Sequence, residues 1–276
     1  MTFKLSICIP TYNRASFIGE TLESIVSQAS DQVEIVIMDG ASTDNTASVV
    51  HEFQEHFPNI RYYCGQKNMG VDADLAKAIS LAQGDYCWLM SSDDLLTNGA
   101  IDLILAEIEG GCGIYLCNRT ECTKEMVPIK EQYWFPRKFN DRFFDFLNED
   151  ELSEYLGATN MIGALFSYIP CVIVRRQEWL SIEGSEEFFG TGYAHVYTLF
   201  SIIKKECKLK YISSSLVLCR MDNDSFSSNG LVSRYLLDFQ GYLRIANKLF
   251  SGDRMREVFL KVMTREHRWY RLLKLR

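Results

Sequence analysis

The sequence predicts an α/β fold in which a mostly parallel sheet is flanked by helices. Two observations in the first half of the chain predict it: short apolar runs alternate with amphipathic segments of helical length, and polar residues are concentrated in the connections between them. Strands separated by helices pair in parallel through crossover connections. Such a sheet brings the loops that follow its strands to one edge.

The first four elements follow one another without interruption. Residues 4–10 form a continuous apolar run, as in a strand buried on both faces. In residues 15–27 the apolar side chains recur at helical spacing, which predicts an amphipathic helix. Residues 33–38 repeat the pattern of the first strand. Residues 46–56 form the second helix, behind the capping residue types Ser, Thr and Asp at 42–44.

The alternation continues to residue 118. Residues 60–64 predict a third strand, and residues 72–82 predict a third helix that ends before Gly84. The next segment is apolar from Tyr86 to Met90 and predicts another buried strand. This fourth strand spans residues 85–90, and a helix at 99–108 and a fifth strand at 113–118 follow it.

Composition excludes several classes of protein. The chain has 276 residues, enough for one large or two small domains, and its net charge of −7 argues against a nucleic-acid-binding protein. Its nine cysteines are scattered and form no CxxC, which predicts reduced core residues in a cytosolic protein rather than disulfides or a zinc site. We expect no signal peptide, because Met1 leads directly into a strand. The apolar run at 161–174 is too short to span a bilayer.

The fourth strand ends abruptly in two adjacent carboxylates, Asp93 and Asp94. In open α/β sheets this edge is where ligands bind. Neighbouring carboxylates repel each other unless a positive group lies between them, and a divalent cation carrying a diphosphate would meet that need. Hard oxygen ligands suit Mg²⁺ and Mn²⁺. The alternative is a turn and helix N-cap, which also favour Asp.

Three further loops follow strands at the same edge. Asp39 can accept a hydrogen bond from uracil N–H or from a cytosine amino group, and Tyr12 can stack on the base. The alternatives are a helix cap for Asp39 and a packed loop aromatic for Tyr12. No GxGxxG follows the first strand and no GxxxxGK[ST] occurs, which argues against a dinucleotide or P-loop site. Arg14 or Lys67 can meet phosphate oxygens, so Tyr12, Arg14, Asp39 and Lys67 are the nucleotide-binding candidates of these loops.

Four motifs at consistent spacing carry a family resemblance. They are LSICIPTYN at 5–13, VIMDGASTDNT at 36–46, NMG at 68–70 with AQGDY at 82–86, and the acid pair at 93–94. On these motifs the chain resembles the GT-A glycosyltransferases of family 2, well over about residues 3–120 and weakly beyond. The resemblance implies that the loop of Pro10, Thr11 and Tyr12, together with Asp39, recognises the nucleotide. It also implies ribose contact by Asp93 and metal–diphosphate contact by Asp94.

More narrowly, the chain resembles the abequosyltransferase-like group of O-antigen enzymes, in residues 70–74, 86–89, 192–197 and 220–226. That group implies a CDP-linked 3,6-dideoxyhexose as donor, a lipid-linked oligosaccharide as acceptor, and a divalent cation, Mn²⁺ or Mg²⁺. One Asp does not distinguish cytosine from uracil, so UDP- or dTDP-sugars remain alternatives. Two rival functions are a non-catalytic nucleotide-sugar-binding protein and a nucleotidylyltransferase. The intact acid pair argues against the first, and the absence of a Gly-rich loop after strand one argues against the second.

The third helix departs from the family pattern. Many members carry Ala-Arg-Asn where this chain has Asp74-Leu75-Ala76, and Asp72 and Asp74 bring two acids to the helix start. The helix dipole favours acids in a first turn, which is one interpretation. The other is direct contact of these acids with the donor sugar or with the phosphate-linked metal, and Asp72 is the donor-binding candidate.

A second departure concerns the catalytic base. Inverting members place a carboxylate about 100 residues after the acid pair, where this chain has Ala194 and His195. His195 can act as the base, bind the acceptor or simply pack in the core. Glu186 and Glu187 are nearby substitutes, with Glu187 as the second catalytic candidate. A retaining reaction would fit the missing carboxylate.

The second half of the chain is expected to bind the acceptor. Aromatic stretches at 133–136 and 143–146 suit a saccharide site or an ordinary core. Tyr193 and Arg220 are acceptor candidates. Asp222 stands where family members often have a metal-proximal His, which makes it a metal or acceptor candidate.

We expect a catalytic domain at 1–225, with its nucleotide-sugar half at 1–120 and its acceptor half at 121–225, and a helical extension at 226–276. Residues 251–276 contain eight Lys or Arg and three acids, with apolar residues at helical spacing. A basic amphipathic helix suits an anionic membrane surface, so residues 253–276 predict peripheral contact with the inner face of the cytoplasmic membrane. The alternative is a helix that packs its apolar stripe on the domain.

Overall fold

One mixed sheet runs through the protein, which we describe from a computed structural model over residues 3–205, 207–223, 231–250 and 254–266. The strands of the described residues are β1 Leu5–Thr11, β2 Val33–Asp39, β3 Ile60–Cys64, β4 Tyr86–Leu89, β5 Leu95–Leu96, β6 Ile114–Cys122, β7 Pro128–Gln132, β8 Phe143–Asp145, β9 Val172–Arg175 and β10 Lys208–Arg220. The helices are α1 Ile18–Val26, α2 Thr46–His56, α3 Val71–Leu81, α4 Ala100–Ile108, α5 Glu149–Ala158, α6 Arg176–Leu180, α7 Ala194–Lys204, α8 Leu231–Leu249 and α9 Arg254–Glu266.

The sheet has the order β3-β2-β1-β4-β9-β6-β10-β5, with β7 paired to β6 and β8 paired to β10. The first four strands of this order pair in parallel, as do β6 and β10. The mostly parallel sheet predicted from the sequence is therefore confirmed. Strand β9 lies antiparallel between β4 and β6 and comes from the apolar run at 161–174, whose short length suggested a buried core segment.

The strand ends meet where the sequence analysis placed them. Thr11 pairs with Asp39, Asp39 pairs with Cys64, and the N–H of Met90 bonds to Cys8. The loops after β1 to β4 consequently share one edge of the sheet. Helix α1 begins at Ile18, later than predicted, because the N–H groups of Phe17 and Ile18 both bond to the Arg14 carbonyl and form a turn.

The helices of the C-terminal part pack on the same body. Phe259, Val262 and Met263 of α9 are buried, and the Phe259 ring lies 5.0 Å from that of Phe200 in α7. The apolar stripe of this helix therefore packs on the domain, which was the alternative to membrane contact. Residue 253 and residues 267–276 of the predicted membrane segment lie outside the described residues, and the division at 225 stays a prediction.

Two expectations from composition can be compared with the structure. All nine cysteines are free and eight are buried, as predicted. Within the described part of the chain, no helix is long and apolar enough to cross a membrane.

Candidate functional site

A cleft of about 820 Å³ opens at the edge where β1 and β4 end. The N-terminal half of the chain forms one wall, and loops and helices of the C-terminal half form the other. The predicted site residues that line it are Pro10, Thr11, Tyr12, Arg14, Asp72, Asp93, Asp94, Tyr193, His195, Arg220 and Asp222. Asp39, Lys67 and Glu187 are not among its lining residues.

Asp94 accepts three hydrogen bonds, two of them from distant parts of the sequence. One carboxylate oxygen accepts the backbone N–H of Arg220 at 2.8 Å, and the other accepts the hydroxyls of Ser91 and Tyr168. Asp94 as a whole is only 4% exposed. Burial, and then the charge of Asp93, raise the pKa of Asp94 to about 6. The hydroxyl and amide donors oppose this rise by stabilising the charged form.

Asp93 faces a different set of partners. Its Oδ2 accepts a hydrogen bond of 2.6 Å from the Asn223 amide and lies 4.0 Å from the Arg14 guanidinium. Burial raises the pKa of Asp93, while the positive charge of Arg14 opposes the shift. The two carboxylates thus remain adjacent because separate donors stabilise each of them.

Arg220 holds the loop that carries these acids. Its Nε donates to the backbone carbonyl of Asp93 at 2.9 Å, and its Nη2 forms a 2.7 Å ion pair with Glu20. Its Nη1 donates to the carbonyl of Lys124. All three guanidinium nitrogens are therefore engaged within the protein, and the predicted acceptor contact of Arg220 stays a prediction.

The acid pair fits a cation that brings ligands with it. Among the described residues, no group of three or more His, Cys, Asp or Glu could hold a metal. Mg²⁺ is commonly bound by one or two carboxylates together with substrate phosphates and water. Asp94 would supply the protein carboxylate to such an ion. Asp222 lines the cleft with a positive φ of 60°, and its role as a metal ligand stays a prediction.

The nucleotide half of the cleft contains Tyr12, which is 43% exposed and so accessible for stacking. Asp39 is fully buried beside it. Its two oxygens accept the N–H of Ser42 at 2.7 Å and the hydroxyl of Tyr62 at 2.6 Å. The helix-cap interpretation of Asp39 does not hold, because Asp44 accepts the N–H of Thr46 at the start of α2. Asp39 instead closes a turn in its own loop.

Asp72 connects the third helix to the distant helix α7. Its carboxylate accepts the backbone N–H groups of Gly190 at 2.9 Å, Gly192 at 2.8 Å and Ala194 at 3.2 Å. These include the first residue of α7, so Asp72 caps that helix from outside its own segment. Neither interpretation of Asp72 from the sequence foresaw this contact, because its partners lie about 120 residues away.

Asp74 differs from Asp72 in its hydrogen bonding. It is 4% exposed and lines the cleft, yet its carboxyl has no hydrogen bond or ion pair within the described residues. Burial, and then the charge of Asp39, raise the pKa of Asp74 to about 6. A carboxyl buried without a partner costs free energy.

The two predicted catalytic residues occupy different environments. His195 is buried at the cleft, and its Nε2 lies 2.8 Å from the carbonyl of Phe166. Because a carbonyl only accepts, Nε2 carries the proton and Nδ1 is the unprotonated nitrogen of the neutral ring. Burial lowers the pKa of His195, while the charge of Asp72 opposes this. Glu187 is exposed and forms a 3.0 Å ion pair with Lys248, away from the cleft.

Several residues of the cleft were not found from the sequence. Tyr168 stacks under the Arg119 guanidinium at 4.1 Å and donates to Asp94. Asp238 of α8 accepts the Tyr193 hydroxyl, and both line the cleft. The only sequence signal for Tyr168 is a hydroxyl inside an apolar run.

The aromatic stretches of the second half belong mainly to the core. Phe135 and Phe144 are buried and pack against Tyr155 with ring centroids 5.0 Å away in each pair. Trp134 is buried too, but it lines the cleft. The core interpretation therefore holds for most of these residues.

Six non-glycine residues of the described chain have positive φ angles, and one of them, Asp222, lines the cleft. Positive φ angles occur at Asn13, Ala41, Phe166 and Asp222, between 52° and 63°. Such conformations are costly for residues other than glycine and are concentrated at functional sites. At Phe166 the same backbone presents the carbonyl that His195 bonds.

Comparison with known proteins is consistent with this geometry. The family described as "Glycosyl transferase family 2" matches residues 6–172. Abequosyltransferase RfbV of Salmonella typhimurium is 36% identical over 96% of this chain and 81% of its own length. A Campylobacter jejuni protein named GalNAc(5)-diNAcBac-PP-undecaprenol beta-1,3-glucosyltransferase is 24% identical over 91% of this chain and 76% of its own length.

Solved structures show the same fold. Staphylococcus aureus TarS in complex with UDP superposes with a TM-score of 0.70 at 17% identity, covering 99% of this chain and 76% of that one. A mannosyltransferase of Pyrobaculum calidifontis, in complex with GDP-Man and Mn²⁺, gives 0.63 at 18% identity, covering 96% and 69%. The GT-A-like architecture expected from the sequence motifs is thereby confirmed.

Proposed function

The chain belongs to glycosyl transferase family 2, and we propose that it transfers a sugar from a CDP-sugar to a lipid-linked saccharide with a divalent cation bound by Asp94. The observation that carries this proposal is the acid pair in the cleft. Two adjacent carboxylates are held there by donors from β10, from the Tyr168 loop and from Asn223. That arrangement suits a cation–diphosphate unit.

The reaction transfers the anomeric carbon from a diphosphate oxygen to an acceptor hydroxyl. The cation would supply charge neutralisation for the leaving diphosphate. Arg14 lines the cleft 4.0 Å from Asp93 and is placed to meet phosphate oxygens. Tyr12 would stack on the base, and Asp93 would contact the ribose.

The acceptor side would be formed by the C-terminal half. His195 has an unprotonated Nδ1 in its neutral form, and this nitrogen would take the proton of the acceptor hydroxyl. Tyr193 adjoins it, with ring centroids 6.2 Å apart. Glu187 would need to leave its ion pair with Lys248 to take part. Of the two, His195 is the stronger candidate for the base.

The names of two relatives support this choice of donor and acceptor. The Salmonella relative is named for transfer of abequose, a 3,6-dideoxyhexose, and the Campylobacter relative for a substrate linked to PP-undecaprenol. UDP- and dTDP-sugars are the alternative donors. A thermal-shift panel of CDP, UDP, GDP and dTDP with Mn²⁺ distinguishes them, because a ligand that binds the native state raises its melting temperature.

Transfer itself is tested with CDP-abequose and a lipid-linked oligosaccharide, with and without excess EDTA. We expect product only when the cation is present. Product in excess EDTA would refute the cation, and absence of product with every donor sugar would refute the transfer. Proton NMR of the fresh product assigns the anomeric configuration, and a β product from an α donor would show inversion.

A further inference from the structure

Asp74 lies in the part of the cleft formed by the ends of β1 to β3. Its Oδ2 is 2.8 Å from the position a Cβ would take on Gly40, which follows β2, and the side chain of Asn68, which follows β3, borders the same position. The adjoining wall is the Pro10–Tyr12 loop. Asp74 is thus separated from the acid pair by the width of the sheet between β2 and β4.

That separation matches the length of a nucleotide. Strand β1 alone lies between β2 and β4, and neighbouring strands are about 4.8 Å apart, so the two positions are on the order of 10 Å from each other. With the diphosphate at Asp94 and the ribose at Asp93, the nucleoside would extend towards β2. Its base then lies beside Tyr12 and Asp74.

The carboxyl of Asp74 has acceptor capacity that the protein does not use. Asp39 beside it already accepts the Ser42 N–H and the Tyr62 hydroxyl. Asp74 accepts nothing within the described residues although it is 4% exposed. Neither Asp74 oxygen is among the fully enclosed side-chain atoms that lack a partner in the described residues, so its carboxyl opens to the cleft, where a donor from a ligand can reach it.

We propose that Asp74 accepts a hydrogen bond from the 4-amino group of a cytosine base and thereby favours cytidine over uridine nucleotides. The amino group carries two N–H donors, and one of them would meet the unused acceptor of Asp74. Uracil has a carbonyl oxygen at the same ring position, and that oxygen would face the Asp74 carboxylate without a donor between them. This inference rests on the proposed function, since it assumes a nucleotide in the cleft.

Gly40 provides the space in which the Asp74 carboxyl lies. A methyl group there would stand 2.8 Å from Asp74 Oδ2 and 3.3 Å from Asn68 Oδ1, so the carboxylate would have to move. Gly40→Ala therefore displaces the acceptor without removing its charge. It gives a second variant that is independent of Asp74→Asn.

The test is calorimetric binding of CMP and UMP to the full chain. The proteins are the wild type, Asp74→Asn, Gly40→Ala and the control Asp102→Asn, an exposed acid in the first turn of α4. We expect the wild type and control to prefer CMP by about tenfold, the effect of one hydrogen bond. Asp74→Asn should abolish or reverse this preference, because an amide can donate to the uracil carbonyl. Gly40→Ala should weaken CMP binding.

The outcomes separate this inference from the proposed function. If the wild type binds neither nucleotide, the proposed function fails and this inference fails with it. If the wild type binds CMP but Asp74→Asn and Gly40→Ala leave the CMP to UMP ratio unchanged, only the role of Asp74 is refuted. A wild type that prefers UMP also refutes it. Melting curves of each variant verify that the fold is intact.

Discussion

At the scale of single residues, buried carboxylates dominate the site, and their partners separate their roles. Asp72 accepts three backbone donors, Asp94 accepts three donors of mixed type, and Asp74 accepts none in the described residues. A carboxylate satisfied by backbone holds structure, whereas one that is buried at a cleft with little compensation is available to a ligand.

Replacing Asp94 should separate activity from stability. The pKa of Asp94 is raised to about 6, so its ionised form destabilises the fold, and this effect grows as the pH rises from about 4 to 6. Asp94→Asn should abolish transfer and raise the melting temperature more at pH 7.5 than at pH 4. Thermal unfolding at both pH values checks this. Equal shifts at the two pH values, or retained transfer, would contradict it.

Tyr168 should act by positioning Asp94. Tyr168→Phe keeps the ring beneath Arg119 but removes the hydroxyl that stabilises the Asp94 carboxylate. We expect transfer to fall about 10- to 100-fold, the usual cost of losing a group that supports a metal ligand. The acidic limb of the pH–rate profile should move to higher pH. Tyr133→Phe is the control, since Tyr133 is exposed and outside the cleft. An unshifted profile would assign Tyr168 to packing alone.

At the scale of elements, the cleft depends on contacts between segments that are remote in sequence. Helix α3 is joined to the start of α7 through Asp72, and β10 is joined to the acid loop through Arg220. Each contact links an N-terminal element to a C-terminal one. The two walls of the cleft are therefore held together by buried hydrogen bonds to charged groups.

The Asp72 connection should be measurable in stability. Asp72→Ala leaves three backbone N–H groups without their acceptor, which should lower the free energy of unfolding by about 1.5–3 kcal/mol or more. Urea denaturation measures the change, with Asp102→Asn as a control for an acid in a helix first turn. The pKa of His195 should also fall further, because Asp72 no longer opposes the effect of burial. A loss no larger than that of the control would contradict the capping role.

At the scale of the whole molecule, the C-terminal part both completes the body and carries excess positive charge. The ring of Phe259 is fully buried between those of Phe200, Tyr242 and Phe250. The apolar side of α9 is thus occupied by the protein. Contact with a membrane would then depend on the basic residues, and it remains our proposal.

Liposome co-sedimentation tests that contact. Truncation after Gly252 would remove buried core residues and so affect the fold. Charge replacement alters the basic residues without removing that core. Arg268, Arg271, Lys274 and Arg276 changed together to Glu should weaken binding to anionic vesicles, since each basic residue contributes about 1 kcal/mol near such a surface. Phe259→Ala should instead cost about 3–5 kcal/mol of stability. Vesicle binding that is insensitive to salt and equal in the wild type and the fourfold Glu variant would refute the electrostatic contact.

The sequence by itself determined the order of strands and helices in the N-terminal half. Its apolar runs and helical periodicities are local patterns, and they correctly predicted five parallel-sheet strands, the order of the intervening helices and the edge where the loops gather. The positions of Pro10, Tyr12, Arg14, Asp93 and Asp94 at one cleft follow from that topology alone. The motifs of these loops also identified the family.

Only the tertiary structure decided which carboxylates have partners. Asp72 and Asp74 are two residues apart on one helix, yet Asp72 accepts three N–H groups from a segment about 120 residues away, whereas Asp74 has no side-chain partner among the residues that the structure describes. Hydrogen bonds between remote segments leave no periodic pattern in a sequence, because they depend on where the chain returns. For the same reason the contacts of Tyr168 and Asp238 in the cleft emerged only from the assembled fold.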